Sequence, residues 1–96
     1  MKIVFRAAAL EESREAIAWY LQAAGQRQAD AFRDEVNAKL TLLMEHPGIG
    51  TPGEWGTRWM PLRVFPYILH YRLDGDTLRV FAVAHQRRRP GYWRKR

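Results

Sequence analysis

The chain contains no cysteine, which excludes a disulfide framework and any thiolate zinc site and suits a reducing compartment. Ser13 is its only serine; it falls on an exposed helix turn, so a serine nucleophile has no support. No apolar run approaches the ~18 residues of a membrane span, and Met1-Lys2-Ile3 leads straight into a β-like segment without a signal peptide. The three histidines, His46, His70 and His85, fall on different elements, without i,i+4 spacing or a nearby carboxylate cluster. No metal site and no cofactor are expected. The expectation is a soluble, cytoplasmic, basic domain.

What is present is concentrated at one end. The formal net charge is +6, and residues 1–86 contribute none of it, because their ten basic residues are matched by ten acidic ones. The whole excess lies in Arg87, Arg88, Arg89, Arg94, Lys95 and Arg96, with Pro90, Gly91, Tyr92 and Trp93 among them. A neutral body with one cationic, aromatic end steers an anionic or acidic-surfaced partner toward that end. Guanidinium groups beside Tyr and Trp suit phosphate contact with base stacking, and equally a protein hot spot.

With 96 residues the chain forms one domain, residues 1–96, whose basic aromatic tail spans 85–96. Lys2–Arg6 reads as a strand. Residues 7–24 carry Leu10, Ile17, Tyr20, Leu21 and Ala24 at helical spacing. Glu11, Glu12 and Glu15 fall in the first turns, where the helix dipole favours carboxylates, and this explains them without acid–base chemistry. Gly25 ends this helix. A second helix over 26–46 places Ala29, Phe32, Val36, Leu40 and Leu43 on one face and stops at Pro47-Gly48.

The segment His46–Thr57 (HPGIGTPGEWGT) is a Gly- and Pro-rich connection that lacks the ending of a phosphate-binding loop. Three strands follow, at 58–65, 67–73 and 77–84, with Pro61 marking a bulge or edge in the first. Asp74-Gly75 is a hairpin signal. With these two residues as the turn, Tyr71 faces Leu78, Leu69 faces Val80 and Tyr67 faces Ala82 on the helix-covered side. Ile68 beside Phe81, His70 beside Arg79 and Arg72 beside Thr77 then form the other side. The expected fold is α+β, β-α-α-β-β-β, with a helical hairpin on one face of a mainly antiparallel four-stranded sheet.

Catalysis has one candidate set: Arg63, Arg79 and His85, with Arg88 or Tyr92, converging at a sheet edge to cleave RNA without metal. Solvated strand arginines are the better explanation of Arg63 and Arg79, because arginine alone follows no spacing rule as strict as a metal motif.

The element order, Pro47-x-x-Gly50, Arg58, the run Phe65-Pro66-Tyr67-Ile68-Leu69-His70-Tyr71 and the closing His85-x-x-Arg88-x-Pro90-x-x-Trp93 together resemble the RelE/ParE superfamily of toxins, and the closing pattern is similar to the ParE branch. The resemblance covers essentially the whole chain. It implies the toxin half of a type II toxin–antitoxin, or plasmid-stabilisation, module, neutralised by a ParD-like or other ribbon-helix-helix antitoxin. Trp19, Tyr20, Trp59, Ile68 and Phe81 are the surface expected to take that antitoxin. Ribonuclease members of the superfamily place an Arg after the tyrosine of the third strand, where this chain has Ile68. The resemblance therefore favours the branch that poisons DNA gyrase by binding, without catalytic residues, and contacts gyrase or its DNA through Arg87, Arg88 and Arg89 while Tyr92 and Trp93 fix the tail and His85 positions its start. The alternative is a ribosome-dependent mRNA endoribonuclease using Arg63, Arg79, His85 and Tyr92.

Overall fold

The computed structural model describes residues 1–89 and 91–95, with only the backbone of Lys95; Pro90 and Arg96 of the expected tail lie outside the described residues. The order is β1 (Lys2–Phe5), α1 (Ala7–Ala24), α2 (Gln26–Glu45), β2 (Thr51–Pro52), β3 (Arg58–Pro61), β4 (Tyr67–Asp74) and β5 (Thr77–His85). Short 3-10 turns span Glu54–Gly56 and Tyr92–Lys95. The sheet has five strands in the order β1-β5-β4-β3-β2, with β1 parallel to β5 and the other pairs antiparallel. The expected class holds. The extra strand is β2, two residues inside the Gly- and Pro-rich segment that pair with Trp59 and Arg58. Two residues give no alternation by which a sequence could reveal a strand. Among the described residues no helix is long and apolar enough to cross a membrane.

One residue both ends α1 and begins α2. Gly25 donates its N–H to Leu21 O (3.1 Å) and accepts from Ala29 N–H (3.2 Å). Its φ of 93° lies where a side chain is strained, so glycine fits this joint. On α2 the expected stripe of Ala29, Phe32, Val36, Leu40 and Leu43 is buried. α1 turns differently: its buried residues are Ala9 and Ala16, whereas Leu10 and Leu21 are exposed. Alanines on the inner face let the helix lie close to the sheet, and the larger residues are displaced to its flanks. Ile17 and Tyr20 fill one flank, packed against the main core. Tyr20 stacks on Phe32 (5.5 Å between ring centres) and meets Phe65 edge-on (4.9 Å).

The β4–β5 hairpin departs from the expected register. Asp74 pairs with Thr77, so the turn is Gly75-Asp76, one residue later than expected. Gly75, at φ 61°, takes the first central position, where a tight hairpin of this kind wants glycine. Tyr71 then faces Val80 and Leu73 faces Leu78. This slip of two residues keeps the same side chains toward the helices. A bulge follows opposite His70 and Tyr71, after which His70 faces Ala82, Leu69 faces Val83 and Ile68 faces Ala84. An extra residue in one strand reverses the alternation beyond it. Val83 therefore joins the main core, while Ala82, expected on the helix side, joins Phe81, Ala84 and Trp93 in a second apolar cluster. The expected Ile68–Phe81, His70–Arg79 and Arg72–Thr77 pairs are replaced accordingly.

The strand expected over 58–65 ends at Pro61. Beyond it the backbone N–H groups of Arg63 and Val64 are taken by the carboxylate of Glu35 on α2, the latter at 3.0 Å. Those donors are thus removed from the sheet, and Arg63 sits on a loop.

Candidate target-binding face

The helices cover one side of the sheet, and the C-terminal segment covers part of the other. After β5 the chain turns at His85. Arg87 N–H donates to His85 Nδ1 (3.1 Å) and Arg88 N–H to His85 O (2.9 Å), while Gln86 N–H is held by Pro66 O (2.8 Å). His85 also meets the Tyr67 ring edge-on at 5.2 Å. Burial and the nearby Glu15 carboxylate raise the Tyr67 phenol above its ordinary pKa.

The segment then folds back so that Trp93 lands on the sheet, 6% exposed. Its ring lies 5.4 Å from Phe81, 5.6 Å from His70 and 6.0 Å from Trp55. Among the described residues its indole N–H, also buried, meets no acceptor. Arg94 pairs with Glu54 and lies 5.3 Å over the ring of Trp55, a residue in the left-handed region at φ 59°. The guanidinium of Arg88 lies 4.4 Å over the Tyr92 ring, and the Tyr92 hydroxyl donates to Glu12. Arg87, Arg88 and Arg89 are exposed. Between the segment and the sheet lies a cleft of about 350 Å³, whose lining includes Trp59, Ile68, His70, His85, Arg88 and Trp93.

Of the tail residues singled out in the sequence, the three arginines face solvent, and Tyr92 and Trp93 hold the segment in place. The residues expected to take an antitoxin are scattered. Trp19 is 60% exposed, edge-on to Tyr20; Trp59 and Ile68 are half-buried in the cleft. Tyr20 is packed against the main core. Phe81 is not surface, as expected, but buried beneath Trp93, with Arg72 and Arg6 guanidinium groups 5.0 and 5.2 Å from its ring. Its side of the sheet is the one expected; it is buried because Trp93 folds over it.

Of the RNA-cleaving set, His85, Arg88 and Tyr92 line one cleft, but Arg79 does not join them. Arg79 and His85 stand six residues apart along β5, roughly 20 Å at the rise of an extended strand. Arg79 Nε donates to Asp74 Oδ2 (3.0 Å). Arg72 binds the same carboxylate through Nε (2.8 Å) and Nη2 (3.1 Å). Asp74 thus separates two guanidinium groups that face each other across the hairpin. Its carboxyl is held below the ordinary range, first by the hydrogen bond from Arg72 and then by the charges of Arg72 and Arg79, with desolvation opposing. A depressed carboxyl pKa adds stability above the unfolded value, near 3.9, and that stability is lost as pH falls through the lower folded value. Asp74→Asn should therefore lower the melting temperature at neutral pH, and the gap to the parent should narrow below about pH 4. Thermal unfolding of both proteins across pH 2.5 to 7 checks this (~0.5-unit steps suffice); a gap independent of pH would contradict it.

Sequence reasoning missed Glu12, Glu54 and Trp55 as determinants of the face, and Glu35 as the acceptor that holds the loop after β3. The helix dipole accounts for Glu12 in the sequence, yet this residue lies beyond the first turn of α1, which has no acidic residue. No local signal links it to partners 71 and 80 residues away. Among the described residues no group of three His, Cys, Asp or Glu could hold a metal ion.

The chain superposes on a structure described as the chromosomal ParDE TA system from P. aeruginosa with a TM-score of 0.77, covering 88% of this chain and 95% of that one at 18% identity. At that identity the likeness speaks for the fold. Residues 3–90 match the model of the ParE toxin of the type II toxin-antitoxin system, parDE, and the chain belongs to that family. No curated protein is similar enough to match.

Proposed function

We propose that this ParE-family toxin acts in the cytoplasm by binding DNA gyrase, trapping it on broken DNA, and that a ParD-like antitoxin neutralises it. The observation that carries this reading is the division of labour in the tail. Two aromatic residues are spent on holding the segment, leaving Arg87, Arg88 and Arg89 exposed and adjacent. A fixed cationic edge favours rapid, oriented encounter with an anionic partner, whether an acidic protein surface or the DNA that gyrase holds. The competing reading, RNA cleavage, needs a proton donor and arginines around one phosphate, and Arg79 stands with Asp74 at the far end of β5. Trp19, Trp59 and Ile68 offer accessible apolar area to an antitoxin segment, with the basic tail attracting acidic residues on it.

The deciding assay is plasmid supercoiling by gyrase with the purified toxin, with and without ATP. Lost supercoiling with accumulating linear DNA is the expected result. Unimpaired gyrase at saturating toxin, together with mRNA cleavage in a translating extract, would replace this reading with the ribonuclease one.

A further inference from the structure

Glu12 stands in the second turn of α1, and its two carboxylate oxygens go to different elements. Oε1 accepts the backbone N–H of Val83 (3.0 Å), and Oε2 accepts the hydroxyl of Tyr92. Val83 follows the bulge and lies beyond Val80, the last β5 residue paired with β1. The bulge thus brings a strand N–H to the helix, and Glu12 supplies its acceptor where the parallel pairing has stopped. Tyr92 opens the short helix that carries Trp93, and its ring is the surface on which the Arg88 guanidinium rests. One side chain therefore joins helix, sheet and tail. Hydrogen bonds to a carboxylate are among the stronger ones available to a protein.

We propose that Glu12 is the positioning residue of the C-terminal segment: through Tyr92 it fixes where Arg88 is presented to the target. The word target rests on the gyrase-binding reading above, whereas the placement of the segment is independent of it. Glu12 orients the ring, the ring orients the guanidinium, and the arginine meets its partner with less ordering left to do.

Limited trypsin digestion, followed by mass spectrometry of the fragments released after Arg87 or Arg88, reads the placement directly. Tyr92→Phe removes the tail arm of Glu12 and leaves the Val83 arm, so the fold is kept. Cleavage should accelerate about tenfold or more, as expected for loss of one charge-assisted hydrogen bond. Glu12→Ala should do at least as much, and the double variant should be no faster than Glu12→Ala alone. Glu12→Gln, whose amide can still bond both partners, should restore most of the protection. Gyrase inhibition should fall in the order in which cleavage rises. Unchanged cleavage in Tyr92→Phe, or independent effects that multiply in the double variant, would overturn the proposal. Faster cleavage with inhibition intact would overturn the link to the target. Should the parent protein leave gyrase untouched, the earlier reading fails, and the digestion series still decides whether Glu12 places the segment.

Discussion

Trp93→Ala is expected to release the C-terminal segment from the sheet while the rest of the domain stays folded. Trp93 belongs to a small cluster with Phe81, Ala82 and Ala84, separate from the main core beneath the helices. Truncating a buried tryptophan costs about 3–5 kcal/mol where the surroundings cannot relax. Here the segment can lift away, so the loss to the whole molecule is capped by the free energy of docking. The main core, which lacks Trp93, keeps its contacts. Tryptic cleavage after Arg88 should rise by roughly 100-fold, while the melting temperature falls by only a few degrees. Gyrase inhibition should weaken by about tenfold or more, because a freed segment must be ordered again on binding. A large fall in melting temperature with unchanged cleavage would contradict this, placing Trp93 in the cooperative core.

Gly50→Ala should carry the larger stability cost. A Cβ on Gly50 would lie 2.5 Å from the Tyr71 hydroxyl oxygen and 2.8 Å from Cε1 of its ring. Tyr71 cannot swing aside. Its ring is 1% exposed, and its hydroxyl donates to Pro47 O (2.7 Å) while accepting from Gly50 N–H (3.0 Å). Arg58 Nη1 holds the same loop through Gly50 O (2.8 Å). Overpacking of this kind costs about 1–3 kcal/mol, and a domain of this size loses roughly 4–8 °C of melting temperature per kcal/mol. Tyr71→Phe alone should also destabilise, by leaving Pro47 O and Gly50 N–H without their partner. Combined with Gly50→Ala it removes the nearest clashing atom, so the two losses should sum to more than the double variant shows. Strict additivity in thermal unfolding would contradict the contact.

The same contact explains what a reader of the sequence could and could not see. Pro47-x-x-Gly50 was visible as a pattern, but its cause is a tyrosine hydroxyl 21 residues further on. Helix α1 was legible to its last residue because Gly25 stops it, yet its inner face was misjudged. Apolar size pointed to Leu10 and Leu21, whereas close approach to the sheet selects Ala9 and Ala16. Asp74-Gly75 announced a hairpin, and the side chains facing the helices followed from alternation up to Val80. The bulge at residues 81 and 82 has no signature, so alternation puts Ala82 on the wrong side and sets Phe81 on the right side but beside Ile68, which faces Ala84 instead. Charge alone marks the basic tail as the place of interest. Its anchoring to Glu12, Glu54 and Trp55 was not legible, because each contact joins parts of the chain that only the completed sheet brings together.

The parallel pairing of β1 with β5 has a consequence for how the molecule is made. β5 lies between β1 and β4, so the first strand has no neighbour in the sheet until residues 77–80 exist to receive it. Throughout earlier synthesis the helical hairpin and β1 wait with their apolar faces uncovered, and closing that distance is the slow, high-contact-order step of folding. The arginine-rich edge follows β5 in the chain, and the surface on which it rests is built from β5 itself. A nascent chain on the ribosome therefore carries no assembled copy of this face until β5 has been made and has slid between two strands that were already there.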